Sequence, residues 1–600
     1  MHRAPWTAAL AISLFALPLL PAQTSTADTP IARALSPFRG FDLDGNGIPE
    51  IRTVELMHEA GAAKAPLAVV LVEARLLRPE AGVPAERLAE LRERLLRHAG
   101  DLAAEGFHTA VLTLDVHTGP PHQDGRTVLA LRSLLRALHD AAGPLTHTVL
   151  VGHFPDALLV RTCNWRRNEA LQLPGRDGKP VAIAPNETNV RSVPEYVAHR
   201  CDVVLGDLDG AWDGVYVAGP AALPSVTSVA GGEGAACKGI ATGELRVVDV
   251  FNVRDGTATV DKEAFRVVID DADRDHECAS SDKTTGNPLA RPEVAISRID
   301  ARGVAWSPEG KALDGAGKPQ VVALAEGDAS KDVRWVRDAG LERRLLVEYF
   351  DRNHGFRTRK LPVEQDRPAS ISHGLGSGQD VLRAARPAWR EFREVGYDCS
   401  EKVDLTQLLQ WLQRPAVLRT LRAHSDPWGA AFDSSDIAAV ERLAGTPWRW
   451  RRDGAQLVPS LAAHAGGRAD AWFYRTLYEN KVLPNVPFLM LHTGCEALSP
   501  PGACDVAYDD EGYGRFAHAE AMLFFTPCVA MVGRAKVFYD EPRGFCEVLG
   551  AGGTFGEAWQ RYFAVEGAAV GWDEVGGDIG RKRAYFWSLV GDGTLRLPRS

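Results

Sequence analysis

Several things are missing from this 600-residue chain, and each absence removes a class of function. Lys and Arg number 68 against 78 Asp and Glu, a formal net charge of −10, so there is no basic surplus of the kind that binds nucleic acid or an anionic membrane. After the first twenty residues no stretch of about eighteen apolar residues occurs, so no membrane-spanning helix is expected. None of the nine cysteines forms a Cys-x-x-Cys pair, which argues against the commonest zinc sites. Gly374-Leu375-Gly376-Ser377-Gly378 does not have the glycine spacing of a dinucleotide loop. No internal repeat or low-complexity block stands out.

What is present begins with an apparent export signal. His2 and Arg3 precede the apolar run Thr7–Leu20, and Pro21-Ala22-Gln23 offers a cleavage region, so residues 1–23 read as a secretory signal and the mature chain as exported. An odd number of cysteines in an oxidising compartment leaves at least one thiol unpaired. Cys495 is the candidate, with up to four disulfides among the others or several buried small hydrophobes in their place.

Apolar runs alternate with helix-periodic segments. Strands are expected at Pro66–Ala74, Thr109–Val116, Thr146–Val151 and Pro292–Ile299. Helices are expected from Pro84 and over Thr127–Ala142, and again from Arg334 to Asn353. Such alternation predicts an α/β fold with mainly parallel sheets and right-handed crossovers. Polar residues 301–335 read as an inserted loop or linker between residues 24–300 and 336–600.

Two acidic turns suggest structural calcium. Asp42, Asp44 and Asn46, followed by Gly47 and Glu50, take the first oxygen positions of an EF-hand loop, although Thr53 stands where the bidentate glutamate belongs. Asp207, Asp209 and Asp213 lie in a glycine-rich turn of similar character. An Asx-rich turn without metal is the alternative for both.

The reactive groups lie in the second half. Val486–Leu491 is a short apolar run followed by His492-Thr493-Gly494-Cys495-Glu496. Ala416–Ala423 is another such run and delivers His424. Open parallel sheets place reactive groups at the carboxyl ends of strands, and a thiol with an imidazole on the neighbouring strand makes a nucleophile and its acid–base partner. His492 reads as packed or substrate-facing, and Glu496 as a pocket residue or a solvated charge. A zinc site from His424, His492 and Cys495 is a rival without the usual short spacings.

In these segments the chain resembles the gingipain family of cysteine peptidases, kin to caspases, legumain and clostripain. The likeness runs in order through Val149-Leu150-Val151-Gly152-His153, Gly206-Asp207-Leu208-Asp209-Gly210, Pro292–Arg298 and Tyr349–Asn353. It continues through Cys495, Ala519-Glu520-Ala521, Phe538–Gly544, Thr554-Phe555-Gly556 and Gly591–Leu595. The resemblance implies two caspase-like α/β/α subdomains, residues 24–300 and 336–600. It further implies a cysteine-type endopeptidase with Cys495 and His424 as the dyad and backbone N–H groups of Ser425 and Cys495 as the oxyanion hole. Substrates would be peptides or proteins cut after Arg, Lys, Asp or Asn, by a monomer that needs no catalytic cofactor. One departure is that Ser425 follows His424 where the family usually has glycine. His373-Gly374 keeps that dipeptide, so His373 is an alternative catalytic histidine. A catalytically silent exported binding or surface protein is the competing expectation.

Overall fold

A computed structural model describes residues 29–117, 125–164, 171–174, 180–183, 194–210, 246–247, 266–269, 291–308, 335–373, 378–392, 403–426, 429–433, 435–445, 467–498, 517–535, 542–568 and 587–599. Ten strands form one sheet: β1 (Ile51–Ala60), β2 (Leu67–Glu73), β3 (His108–Val116), β4 (Leu145–Val151), β5 (Ala295–Ile299), β6 (Pro368–Ser372), β7 (Leu418–Arg422), β8 (Phe488–His492), β9 (Cys528–Arg534) and β10 (Trp587–Gly591). Their order across the sheet is β1-β3-β2-β4-β5-β10-β9-β8-β7-β6. Two parallel blocks, β3-β2-β4-β5 and β9-β8-β7-β6, meet at β10, which runs antiparallel to β9. The expected α/β class with a mostly parallel sheet is therefore what the chain adopts.

The strands of both blocks are buried almost throughout, as near-continuous apolar runs require when helices cover both faces. One face carries Val69, Leu71 and Leu150 under α2 (Gly125–Ala142), α7 (Phe545–Ala551) and α8 (Phe555–Ala568). The other carries Val70, Val72 and Val149 under α1 (Ala85–Ala104), α3 (Ala339–Arg357), α4 (Leu405–Gln413), α5 (Ala471–Glu479) and α6 (His518–Phe525). Side-chain periodicity explains the split. Neighbouring strand residues point to opposite faces, so Val69 and Val70 join different cores.

Some boundaries differ from expectation. The helix expected from Arg334 begins at Ala339, because Asp338 caps it by accepting the Leu341 amide, and Trp335–Arg337 instead pairs antiparallel with Trp306–Pro308. Edge strand β1 was not expected at all. Register shifts at Ile51/Thr53 and Leu56/His58 break its apolar alternation. Cys201, Cys528 and Cys546 are buried thiols, not disulfide partners, and burial pushes the Cys528 thiol up to about 12. Side chains of the remaining cysteines other than Cys495 lie outside the described residues.

Candidate active site

Strands β7 and β8 run parallel, with Leu418 opposite Leu489 and Leu421 opposite His492. Carrying that register three residues onward puts His424 beside Cys495 just past the two strand ends. Three contacts hold this geometry. The Thr493 amide donates to the Leu421 carbonyl at 2.9 Å, which extends the ladder one step. Next, the Ser425 hydroxyl donates to the Cys495 carbonyl at 2.5 Å. Finally, Gly494 packs so closely that an added Cβ would lie 2.2 Å from Ser425 Oγ and 2.5 Å from the Ala423 carbonyl oxygen. Only glycine lets the two strand ends approach this far.

Cys495 carries a thiol and is half-buried, while His424 is exposed. The chain after His424 turns back at once. Ser425–Asp426 pairs antiparallel with Gly429–Ala431, and the Ala431 amide donates to the His424 carbonyl at 2.7 Å. In that register Ser425 opposite Ala430 is a non-hydrogen-bonded pair, so its amide turns away from Gly429–Ala431. Glu496, directly after the cysteine, has a left-handed φ of +50°, which a side-chain-bearing residue adopts only when its surroundings impose it.

The other candidate histidine is placed differently. His373 follows β6, on the far side of β7 from β8, so at usual strand spacing it is about 10 Å from the cysteine strand. Its Nδ1 accepts the Val403 amide at 3.2 Å, and its Nε2 lies 3.8 Å from Asp433. Those neighbours occupy the ring with structural contacts. His492 is wholly buried, and its Nδ1 accepts the Gly494 amide at 3.2 Å. With that lone pair used, His492 is ill-suited to a zinc site with His424 and Cys495.

A buried ionic network that sequence reasoning missed reaches α6 near His492. Arg298 makes three contacts to Asp202 and lies 3.4 Å from Asp156. Arg200 binds Asp156 at 2.7 Å and lies 3.6 Å from Glu520 on α6. Two residues earlier on α6, the His518 ring sits edge-to-face on His492, 4.9 Å between centroids. A chain of contacts therefore runs from the segment after β4 to the carboxyl end of β8. Arg298 and Asp202 show no recognisable spacing in sequence, since 96 residues separate them.

The two acidic turns each gather carboxylates. In the first, Asp42, Asp44 and Glu50, the last at loop position 9, bring oxygens within 4.8 Å of one another. Asn46 instead turns Oδ1 to the Ile48 amide and Nδ2 to Asp44. Asp42 accepts the amides of Gly45, Asn46 and Gly47, and the Arg126 guanidinium beside Asp44 holds that carboxyl below its usual range. In the second, Asp207 and Asp209 converge with Glu293, a residue not anticipated, while Asp213 lies outside the described residues. Burial raises the Glu293 carboxyl.

No family model matches this chain, and no curated protein matches it. Among solved structures, one titled "Structure of Protease" is 10% identical, with a TM-score of 0.40. The Arg-specific cysteine proteinase gingipain R is 11% identical, with a TM-score of 0.39. A complex of Porphyromonas gingivalis RgpB pro- and mature domains is 11% identical, with a TM-score of 0.38. Each match covers 89% of this chain and 79% of the other. A likeness of this size is distant.

Proposed function

We propose that this chain is a cysteine-type endopeptidase that hydrolyses peptide bonds with Cys495 and His424. The observation that carries the reading is the β7–β8 register, which brings an imidazole-bearing residue and a thiol-bearing residue to adjacent strand ends. In the reaction, the Cys495 thiolate attacks the scissile carbonyl carbon, forming a C–S bond as the carbonyl electrons move to oxygen. Collapse of the tetrahedral species breaks the C–N bond, and protonated His424 gives its proton to the departing amine. Water then attacks the thioester, His424 takes its proton, and the acid product leaves with the thiolate restored. The outward-turned Ser425 amide, together with the Cys495 amide, is the proposed donor pair for the oxyanion. Losing one such donor typically costs on the order of 10²–10³ in rate. The steps as written use no cofactor.

Around that core we place an exported monomer acting on peptide or protein substrates, with calcium held by Asp42, Asp44 and Glu50 and by Asp207, Asp209 and Glu293. Among the described residues no helix is long and apolar enough to cross a membrane. Cleavage of a peptide library diverse at P1, by wild type beside Cys495→Ala and His424→Ala with calcium present, tests the reading. Cleavage that both substitutions abolish supports it and reveals the P1 residue. Silence from all three proteins would favour a binding protein that retains the fold.

A further inference from the structure

His492 lies three residues before the proposed nucleophile, yet its imidazole has no route to the substrate, because the residue is 0% exposed. A stack of rings packs against it. The His518 ring meets it edge-to-face, and His518 is itself stacked on Tyr474 at 5.9 Å between centroids. Burial, with His518 and Arg534 nearby, holds the His492 imidazole well below its usual pKa, so it is neutral at physiological pH. A neutral imidazole has one N–H and one lone pair. Since Nδ1 accepts the Gly494 amide, the proton is on Nε2, for which the described residues offer no hydrogen-bond partner.

A group in that position does one thing that an apolar residue would not. The Gly494 amide is the last backbone donor before the Cys495 peptide, and it is buried. Here β8 has ended, so no ladder partner waits for it. The Thr493 amide on one side is taken by Leu421, and the Cys495 carbonyl on the other by Ser425. His492 fills the gap between those two anchors. The Arg534 guanidinium also donates to the Thr493 carbonyl, which completes the pinning of the turn.

We infer that His492 is a positioning residue, whose Nδ1 holds the Gly494 amide and thereby sets the turn that presents the Cys495 thiol. The catalytic value of that turn rests on the peptidase reading, but the hydrogen bond and its effect on the thiol do not. Three variants separate the possibilities. His492→Leu keeps bulk and loses the acceptor. His492→Asn keeps an acceptor atom near the place of Nδ1, and His492→Gln moves it one bond further out.

The measurements are amide hydrogen exchange over residues 493–495, the rate of Cys495 alkylation by iodoacetamide, and kcat and KM on any cleaved peptide. The leucine and glutamine variants should exchange about fivefold to tenfold faster than wild type at the Gly494 amide, as loss of one buried hydrogen bond implies. Their alkylation rate should shift at least about threefold, and kcat should fall while KM holds. The asparagine variant should return all of these to near wild type. If the leucine variant does not fold, the asparagine–glutamine pair decides, since both are polar and differ only in where the acceptor lies. Equal behaviour of those two variants, or wild-type exchange and alkylation in the leucine variant, would overturn the inference. Exchange and alkylation need no substrate. An inactive wild type would therefore count against the peptidase reading and leave the role of His492 still measurable.

Discussion

Replacing Gly494 by alanine would press a methyl group into the narrowest point between the histidine and cysteine strands. The new Cβ would meet Ser425 Oγ at 2.2 Å, the Ala423 carbonyl oxygen at 2.5 Å and His492 Cε1 at 2.8 Å. Two of these neighbours are a backbone atom and a ring packed in the core, so they yield little. Overpacking of this kind costs about 1–3 kcal/mol. The Ser425 hydroxyl must also swing away, breaking its bond to the Cys495 carbonyl at a further cost of about 1 kcal/mol. Gly494→Ala should therefore lower the unfolding free energy by about 2–4 kcal/mol in urea titrations. Because the strand ends must separate, cleavage should fall by about 100-fold, the scale expected when reacting groups are displaced by about 1 Å. Adding Ser425→Ala removes the nearest obstacle, so the double variant should be more stable than the sum of the singles by about 1 kcal/mol. A Gly494→Ala protein within about 0.5 kcal/mol of wild type, or strict additivity in the double variant, would refute the close approach.

Other consequences are equally open to measurement. If calcium occupies the acidic turns, a chelator should lower Tm, by an amount equivalent to about 3 kcal/mol per site where calcium stood at a hundred times its dissociation constant; an unchanged Tm would count against both sites. Burial pushes His98 and His147 down to about 4. Unfolded imidazoles take up a proton near 6.5, so between those values the unfolded chain binds more protons and stability falls as pH drops, by on the order of 3 kcal/mol per histidine. Urea midpoints from pH 6.5 to 4 should show that slope, and His98→Asn should flatten it. Arg298→Met leaves Asp202 buried without this cation, while Asp156 keeps Arg200, and should cost about 3–5 kcal/mol, whereas a loss under 1 kcal/mol would mean that the network is already balanced without it.

Much of the sheet was readable from sequence because its strands are short apolar runs, and strands buried on both faces must be so. The placing of His424 and Cys495 followed from the same signal, since both residues directly trail such runs. Edge strand β1 escaped because it faces solvent in part and its bulges shift the alternation. Helix α4 announces itself more plainly than was recognised: Asp404 and Gln407 form a reciprocal capping box at its start. The histidine hydrogen bond to Gly494, the Ser425 contact and the Arg298 network were not legible. Each depends on side-chain direction at a junction between segments far apart in the chain, which periodicity does not encode. Glu293 was missed as a carboxylate of the second acidic turn for a related reason, in that it occupies no spacing a linear motif would demand, whereas Glu50 stands at position 9 of the EF-hand pattern.

The placement of β10 bears on how the molecule assembles. This strand comes last in chain order among the ten, yet it lies in the interior of the sheet between β5 and β9. Immediately beyond it, Asp592 is gripped by Arg357 at 2.6 Å and Asn353 at 2.9 Å, both on α3. A growing polypeptide can therefore fold each block of parallel strands as it emerges, but it cannot weld them until residues 587–597 have been made. Until then β5 and β9 each present an open edge, the sort of surface that recruits foreign strands. Biogenesis thus has a vulnerable interval whose length is set by translation of the segment after β9, and that interval ends when a single five-residue strand slides into its slot.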